Sequence, residues 1–539
     1  MEKSGSFPMN RGLPAPFAFG RNGLTYDGQM ISNYCPVVVT VKIYVNGDKP
    51  EPHVVLKAIL KDGTETPEII IPLRDLKALD IQTDLDYRCC DVTDKSRFFV
   101  HRLIRNLAAQ QQAVEVYRAN TLGFFHYNGR VAYNAGSRLL GDLGVKVELN
   151  TQGYNFCPPD DVPDEQLAAH IRAIIQLKPQ VTAPIFAYFI LGILRDLFRE
   201  AGVPIKFCMF LHGKQQSMKT TLATYLCSLY DRHLDVEQHL HNLTATEAKL
   251  HEVLHIEKDM TAIIDDLNLD DSKRKEREQE AKISGLIRAA ANDVGRETLR
   301  NQKSINAQLL LCGEYLLRNT STNNRLLILH LEQGMIDKQK LLEIQRDATL
   351  LTAFAEQFIT WVLDHYQTLC RLIRTQYDSI MELRAGGIFY QERLNRSGAI
   401  ISIAFGIFLK FCKSKGWKVG LSAQAFNAII ANVLEQQVEY LNLQGKDEPD
   451  YIVEVFKLLR EASDCGLVKR GRPKNNIWKS QIYYDDNQER ILIISEKMGQ
   501  MSLEISTNLK KQCQFMFCWM RLMPRASSLR TTTRTEPVP

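Results

Sequence analysis

Along the first quarter of the chain, β-branched apolar residues come in short runs separated by turn signals. The runs are Pro36–Val45 (PVVVTVKIYV), His53–Leu60 (HVVLKAIL) and Ile69–Leu73 (IIIPL). Asn46-Gly47 and Asp62-Gly63 fall between them, so the pattern predicts a β-meander. Val100, Leu103, Ile104 and Leu107 then recur at helical spacing and predict a helix over Ser96–Ala119. Thr121–Gly136 (TLGFFHYNGRVAYNAG) reads as a hairpin turning at Asn128-Gly129. Glu165–Leu177 and Ala183–Ala201 read as helices, and Pro204–His212 as a short apolar strand. Residues 338–440 are mostly helical in pattern, with Leu341–Tyr366 and Gly398–Cys412 the clearest segments. Near Pro449 the pattern changes to a helix over Val453–Ala462 followed by GLVKRGRPKNNIWKSQIYY and ILIIS. That order resembles a small winged-helix module.

These elements divide the chain. A Gly-, Pro-, Ser- and Asn-rich stretch over residues 1–26 is expected to be a flexible arm. A β-rich α+β domain follows over 27–164 and ends in the linker DDVPD (Asp160–Asp164). An α/β core is expected over 165–335 and a helical domain over 336–445. The winged-helix-like module occupies 446–500, and a basic tail over 501–539 lacks periodicity and is expected to be disordered. There are no internal repeats.

The chain has 539 residues, which calls for several domains. Ala183–Leu194 and Ala399–Leu409 are its longest apolar stretches. Both are shorter than the roughly 20 residues a membrane helix needs, so no membrane association is expected. Twelve cysteines occur without a CxxC pair, and no signal peptide opens the chain. A reduced, cytoplasmic protein is the reading. The net charge of +5 is carried by Thr507–Pro539, while residues 1–506 balance at 61 basic and 61 acidic. Nucleic-acid binding would therefore depend on local patches.

The candidate chemistry starts at the end of the Pro204–His212 strand. The loop Gly213-Lys214-Gln215-Gln216-Ser217-Met218-Lys219-Thr220-Thr221 matches GxxxxGK[ST] at Gly213, Lys219 and Thr220, with Met218 in the second glycine position. A strand feeding a tight turn and then a helix presents backbone amides to anions. Lys219 would neutralise the β- and γ-phosphates of ATP, and the Thr220 hydroxyl would ligate Mg²⁺. The apolar strand Thr261–Ile264 ends in Asp265-Asp266. Asp265 would order Mg²⁺ and Asp266 would polarise the attacking water. Gln308–Cys312 (QLLLC) is a further strand followed by Gly313-Glu314, which makes Glu314 the sensor candidate. Arg318 and Arg325 lie where a ring ATPase would place an arginine finger for its neighbour.

Two basic segments are candidates for DNA contact. In GRETLRNQK, Arg296, Arg300 and Lys303 would share one side of a helix. Lys469, Arg470, Arg472 and Lys474 cluster in a Gly/Pro turn between Leu467-Val468 and Ile477-Trp478, like a wing. The alternating charges of Asp270–Lys282 read as a solvated helix face.

Taken in order, the Gly213–Thr221 loop, the Asp265-Asp266 strand end, GRETLR and LLLCGE resemble a helicase-like family of uncharacterised function. That family occurs on bacterial plasmids, phages and integrative elements and is related in outline to superfamily 3 helicases, so the resemblance implies a P-loop NTPase (AAA+/RecA-like) core over 165–335. NGLTYDGQMISNYCPVVV and TLGFFHYNGRVAYNAG extend the resemblance to residues 20–335. It implies a DNA-dependent ATPase acting in element replication as a homo-oligomer, with a hexamer the form suggested. Lys219, Thr220, Asp265, Asp266 and the Gly-Glu ending at Glu314 carry over; Met218 departs from the family glycine. A nucleotide-regulated DNA-binding or assembly factor without unwinding activity is the alternative. A metabolic kinase is a third reading that gives no role to the basic segments.

Overall fold

The structure, a computed structural model, describes residues 13–503 except 47–48, 152, 232–239, 244, 268–272, 293–295, 298–301, 316, 318–319, 386–391, 445–467, 471–480, 486–489 and 496–498. Only the backbone is described at 266–267, 273–277, 292, 296–297, 302–303, 320–321, 383–385, 440–444 and in the strands beyond 467. The chain forms two compact units, Met1–Gln437 and Val438–Pro539.

The first unit opens with a three-stranded antiparallel sheet of β1 (Phe17–Gly20), β2 (Gly23–Tyr26) and β3 (Gln29–Ser32). Phe17, Phe19 and Leu24 are buried in the same core as Val38, Val54 and Leu56. Ordered packing thus begins inside the segment expected to be a free arm, because its aromatic residues find a core. β4 (Tyr34–Tyr44), β5 (Glu51–Leu60) and β6 (Ile69–Pro72) form the expected meander.

Helix α1 spans Asp94–Gln110, opened by a Thr93–Ser96 capping box, and buries Val100, Leu103 and Ile104. It stops short of the expected Ala119. Residues Ala113–Ala119 form strand β7 instead, which pairs in parallel with β4 at Val41↔Ala113 through Tyr44↔Val116. The alternation in AVEVYRA outweighs helical continuation once β4 offers an edge. β8 (Gly123–Tyr127), β9 (Arg130–Asn134) and β10 (Leu139–Gly141) form a second antiparallel sheet, with the expected Asn128-Gly129 turn between β8 and β9. β11 (Lys146–Leu149) then pairs with β7.

Three helices lead into the next sheet: α2 (Asp164–Leu177), α3 (Pro179–Ile193) and α4 (Arg195–Glu200). From Val181 to Ile193, α3 is buried throughout. Its Tyr188 hydroxyl donates to the Leu309 carbonyl (2.6 Å) and accepts from the Met209 amide (2.9 Å) and Gln308 Nε2 (2.6 Å). This one hydroxyl joins the helix to two strands of the sheet below it.

That sheet is all parallel. It contains β12 (Cys208–His212), β13 (Leu240–Asn242), β14 (Thr261–Leu267), β17 (Gln308–Gly313) and β18 (Leu326–His330), in the spatial order β13-β14-β17-β12-β18. Helices α5 (Lys219–Leu226), α6 (Glu247–Ile256) and α7 (Lys273–Asn292) connect these strands. Ile283, Leu286 and Ile287 of α7 pack on the sheet core with Leu309 and Leu311. Between α7 and β17, the segment expected to be a basic helix is a hairpin of β15 (Arg296–Glu297) and β16 (Gln302–Lys303).

Helices α8 (Lys338–Gln345), α9 (Thr349–Asp364), α10 (Tyr366–Ala385), α11 (Glu392–Ser414) and α12 (Ala423–Gln444) follow. The predicted Leu341–Tyr366 helix is thus broken into two. Among the described residues, α11 alone is long and apolar enough to cross a bilayer, and 67% of its apolar window is buried inside the protein. Gln437 of α12 caps the edge of β18: its amide donates to the Leu326 carbonyl (2.6 Å) and accepts from the Ile328 amide (3.1 Å).

The second unit contains a four-stranded sheet of β19 (Val468–Arg470), β20 (Gln481–Asp485), β21 (Arg490–Ser495) and β22 (Gly499–Leu503). β20, β21 and β22 pair antiparallel, but β19 lies parallel to β20. Parallel neighbours require a crossover, so Lys469 and Arg470 do not open the tight hairpin wing expected from the sequence. β22 also crosses the expected boundary between this module and the tail. The predicted Val453–Ala462 helix, and Arg472 and Lys474, lie outside the described residues.

Candidate nucleotide site

In a parallel sheet the carboxyl ends of all strands fall on one edge, which is where ligands bind. The spatial order places the ends of β12, β17 and β14 side by side there. Gly213 leaves β12 and is wedged between both neighbouring strands. Its amide donates to the Gly313 carbonyl (3.1 Å), and the Leu331 amide donates to the His212 carbonyl (2.8 Å). A Cβ on Gly213 would stand 2.0 Å from the Leu331 carbonyl oxygen, so no side chain fits.

Beyond Gly213 the loop takes two left-handed residues, Gln216 (φ 63°) and Met218 (φ 66°). Ser217 between them is buried. Such alternation turns successive amides toward one concavity, which suits an anion. Met218 therefore adopts the backbone conformation for which the motif ordinarily uses glycine. A left-handed non-glycine residue costs roughly 1–2 kcal/mol. Met218→Gly is accordingly expected to stabilise the chain by up to about 1 kcal/mol, net of the added freedom of the unfolded chain. Thermal unfolding checks this, and a destabilisation of that size would show that the methionine side chain supports the loop.

Lys219 opens α5 and is buried. Its Nζ donates to the carbonyls of Gly213 (2.7 Å) and Lys214 (2.8 Å) and to Ser217 Oγ (3.2 Å). The ammonium thus lies inside the curve of the loop. Thr220 Oγ1 donates to Asp265 Oδ1 at 3.0 Å. Forty-five residues separate them in sequence, and the sheet brings them together. A paired hydroxyl and carboxylate are hard oxygen donors, the chemistry that suits Mg²⁺.

The acids themselves sit at an irregularity. Ile264 pairs with Leu311 and Leu267 with Gly313, so β14 carries one extra residue across Asp265-Asp266. A bulge at this point re-aims side chains at a strand end. The Asp266 side chain lies outside what is described.

The sensor strand brings a further residue to the site besides the candidate Glu314. Cys312, on β17, is fully buried, and Asp265, Lys219 and Thr220 act on its thiol. Burial and then the Asp265 carboxylate push the thiol pKa up, against Lys219 and the Thr220 hydroxyl. Cys312 is therefore the β17 side chain placed against Thr220, Asp265 and Lys219. The backbone carbonyl of Glu314 accepts from His212 Nε2 at 3.0 Å. Sequence reasoning also missed Gln333, whose amide donates to the Gln215 carbonyl (2.8 Å) from beyond β18.

Arg325 lies at the opposite edge of the sheet, where its carbonyl accepts from the amide of Cys208 at the start of β12 (2.9 Å). Five strand residues separate that edge from Gly213, about 16 Å. Partial burial, then Arg393 and Arg288, lower the pKa of its guanidinium. Arg318 and Arg300 lie outside the described residues. Arg296 and Lys303 are not on one helix face, as expected, but are cross-strand partners in the β15–β16 hairpin.

The sheet, the loop and the Lys219, Thr220 and Asp265 cluster define a helicase-like P-loop fold. Over 97% of its length the chain is similar in structure to the SCCmec type IV Cch active helicase, covering 96% of that chain at a TM-score of 0.55 and 12% identity. The JCV helicase also aligns, over 42% of this chain and 66% of its own, at a TM-score of 0.26 and 15% identity. No family model matches the sequence. No curated protein matches it either.

Proposed function

We propose that this chain is an ATP-hydrolysing, helicase-like DNA motor of a mobile genetic element. The observation that carries the reading is the meeting of Lys219 with the loop carbonyls and of Thr220 with Asp265 at the carboxyl edge of the β13-β14-β17-β12-β18 sheet. Loop amides and Lys219 bind and orient the ATP phosphates. Thr220 and Asp265 would hold Mg²⁺, which supplies charge neutralisation to the phosphates. Asp266, the second acid of the pair, would polarise the attacking water. Cys312, buried on β17, is proposed to line the floor of the site.

A homo-oligomeric ring, with a hexamer the form proposed, belongs to the same reading, with Arg318 and Arg325 as the arginine-finger candidates. The basic partners Arg296 and Lys303 are proposed to contact DNA between the acid-ended strand and β17. Lys469 and Arg470 on β19, with Arg472 and Lys474, form a second DNA-contacting segment. The element's replication and a cytoplasmic location belong to the same reading.

ATP turnover measured with and without single-stranded and duplex DNA tests it. Turnover is expected to rise with DNA. The double reversal Arg296→Glu, Lys303→Glu is expected to remove most of that rise and to reduce the salt slope of DNA binding by about two. Turnover indifferent to DNA would overturn the motor and favour a nucleotide-regulated assembly factor.

A further inference from the structure

His212 is the last residue of β12, directly before Gly213, and is the register partner of His330 on β18. The two imidazoles meet edge to face, with Nδ1 to Nδ1 at 2.9 Å and ring centroids 4.9 Å apart at 87°. On its other side, His212 Nε2 is 3.0 Å from the Glu314 carbonyl oxygen. A carbonyl only accepts, so Nε2 of His212 carries the proton. In the neutral ring Nδ1 is then a lone pair, and it accepts from Nδ1–H of His330. A second proton on His212 would put two N–H donors face to face at the same 2.9 Å.

The position of this pair gives it leverage on the loop. His212 is bonded to Gly213, whose carbonyl accepts from Lys219 Nζ (2.7 Å). Its Nε2 ties the same point to the turn after β17, beside the Gly213 amide bond to Gly313. We propose that His212 and His330 are positioning residues whose neutral imidazole pair holds the phosphate loop in its nucleotide-binding shape, so that nucleotide affinity falls in mild acid. The proposal rests on the ATP-binding reading above.

Among the described residues, the charged groups that act on the pair do so in known directions. Burial, then His330 and then Lys219, hold the His212 pKa down at about 4, against the Glu314 carbonyl. Burial lowers His330 too, against the Glu332 carboxylate beyond β18. A pair released from this packing would titrate near its ordinary value of about 6.5. The loop-holding contribution is therefore complete above that value and is lost progressively as pH falls toward 4.

Binding of Mg-ATP to the full chain at pH 7.5 and 5.5 tests this, with His212→Gln as the reference. The glutamine amide keeps a donor for the Glu314 carbonyl and does not titrate. It also experiences the same protonation of ATP, so the ratio of the two proteins isolates the imidazole. Wild type is expected to lose more affinity than His212→Gln over this range, by up to about tenfold, the factor by which the two values above favour the released loop. His330→Asn, which retains a donor at the Nδ1 position, is expected to behave like His212→Gln. His212→Leu is expected to bind weakly at both pH values. Equal losses in wild type and both amide variants would overturn the proposal. If wild type binds no nucleotide at pH 7.5, the ATP reading fails instead. Thermal unfolding at the two pH values then decides the imidazole pair: an acid loss larger in wild type than in His212→Gln supports it, and equal losses overturn it.

Discussion

Lys219→Ala is expected to lower ATP turnover by about 100-fold or more, the scale on which loss of one preorganised donor to a charged transition state is felt. The structure makes the effect double. The ammonium is the one cation donating to the inner carbonyls of the loop among the described residues, so alanine leaves the Gly213 and Lys214 carbonyls without this donor. It also removes the charge that phosphates would meet. Lys219→Arg is not a rescue, because the site is buried and the hydrogen bonds converge on one nitrogen. Steady-state turnover, with thermal unfolding as a control for folding, checks the expectation. Turnover within about threefold of wild type would sink the site assignment.

Asp196→Ala is expected to destabilise the first unit by about 3–5 kcal/mol, the cost of breaking a buried ionic network by removing one partner. Asp196 is fully buried on α4. It accepts from His126 Nε2 (2.6 Å), from the Tyr366 hydroxyl (2.6 Å) and from Arg199, and Lys258 Nζ lies 3.6 Å away. Burial alone would raise its pKa. His126, Lys258, Arg199 and Tyr366 outweigh that and hold it well below the usual carboxylate range. Its contribution is thus fully present above the unfolded value near 4 and is lost only as pH falls below it. Asp196→Asn keeps an acceptor and is expected to cost less than the alanine. Denaturant unfolding of the full chain separates the two, and an alanine cost under about 1 kcal/mol would show that the network is replaceable by water.

Much of the nucleotide site is legible in the sequence because it is local. Gly213, Lys219 and Thr220 sit on one strand–turn–helix, and Asp265 ends an apolar run. The parts that are not legible depend on strand order. Cys312 reaches the site only because β17 inserts between β12 and β14. The His212–His330 pair depends on β18 lying on the other side of β12. Nothing in their spacing signals either. The GRETLRNQK segment fails for another reason. Basic residues four and three apart fit a helix, yet a short hairpin reads equally well when no apolar stripe fixes the period. Residues 113–119 show the reverse, since an apolar alternation was present and a partner edge decided its use. Phe17 and Phe19 could have signalled burial in a stretch otherwise rich in Gly and Pro.

The seam around Asp259 bears on how this protein can be exchanged or recombined. Its carboxylate accepts from the Phe124 amide (2.9 Å) and pairs with Lys258, which also donates to the Phe124 carbonyl. Gly123 lies so close that a Cβ would stand 2.4 Å from the same carboxylate. The Tyr154 hydroxyl reaches Glu257 at 2.8 Å, two residues before Asp259. Each of these contacts falls within five residues of the start of β14. Residues 122–157 are therefore inherited with the parallel sheet, although the boundary expected from the sequence, Asp160–Asp164, falls after them. A transferable N-terminal module would have its natural cut before the β8–β9 hairpin, and a chimaera joined at the linker would carry a mismatched lock on the strand that bears Asp265.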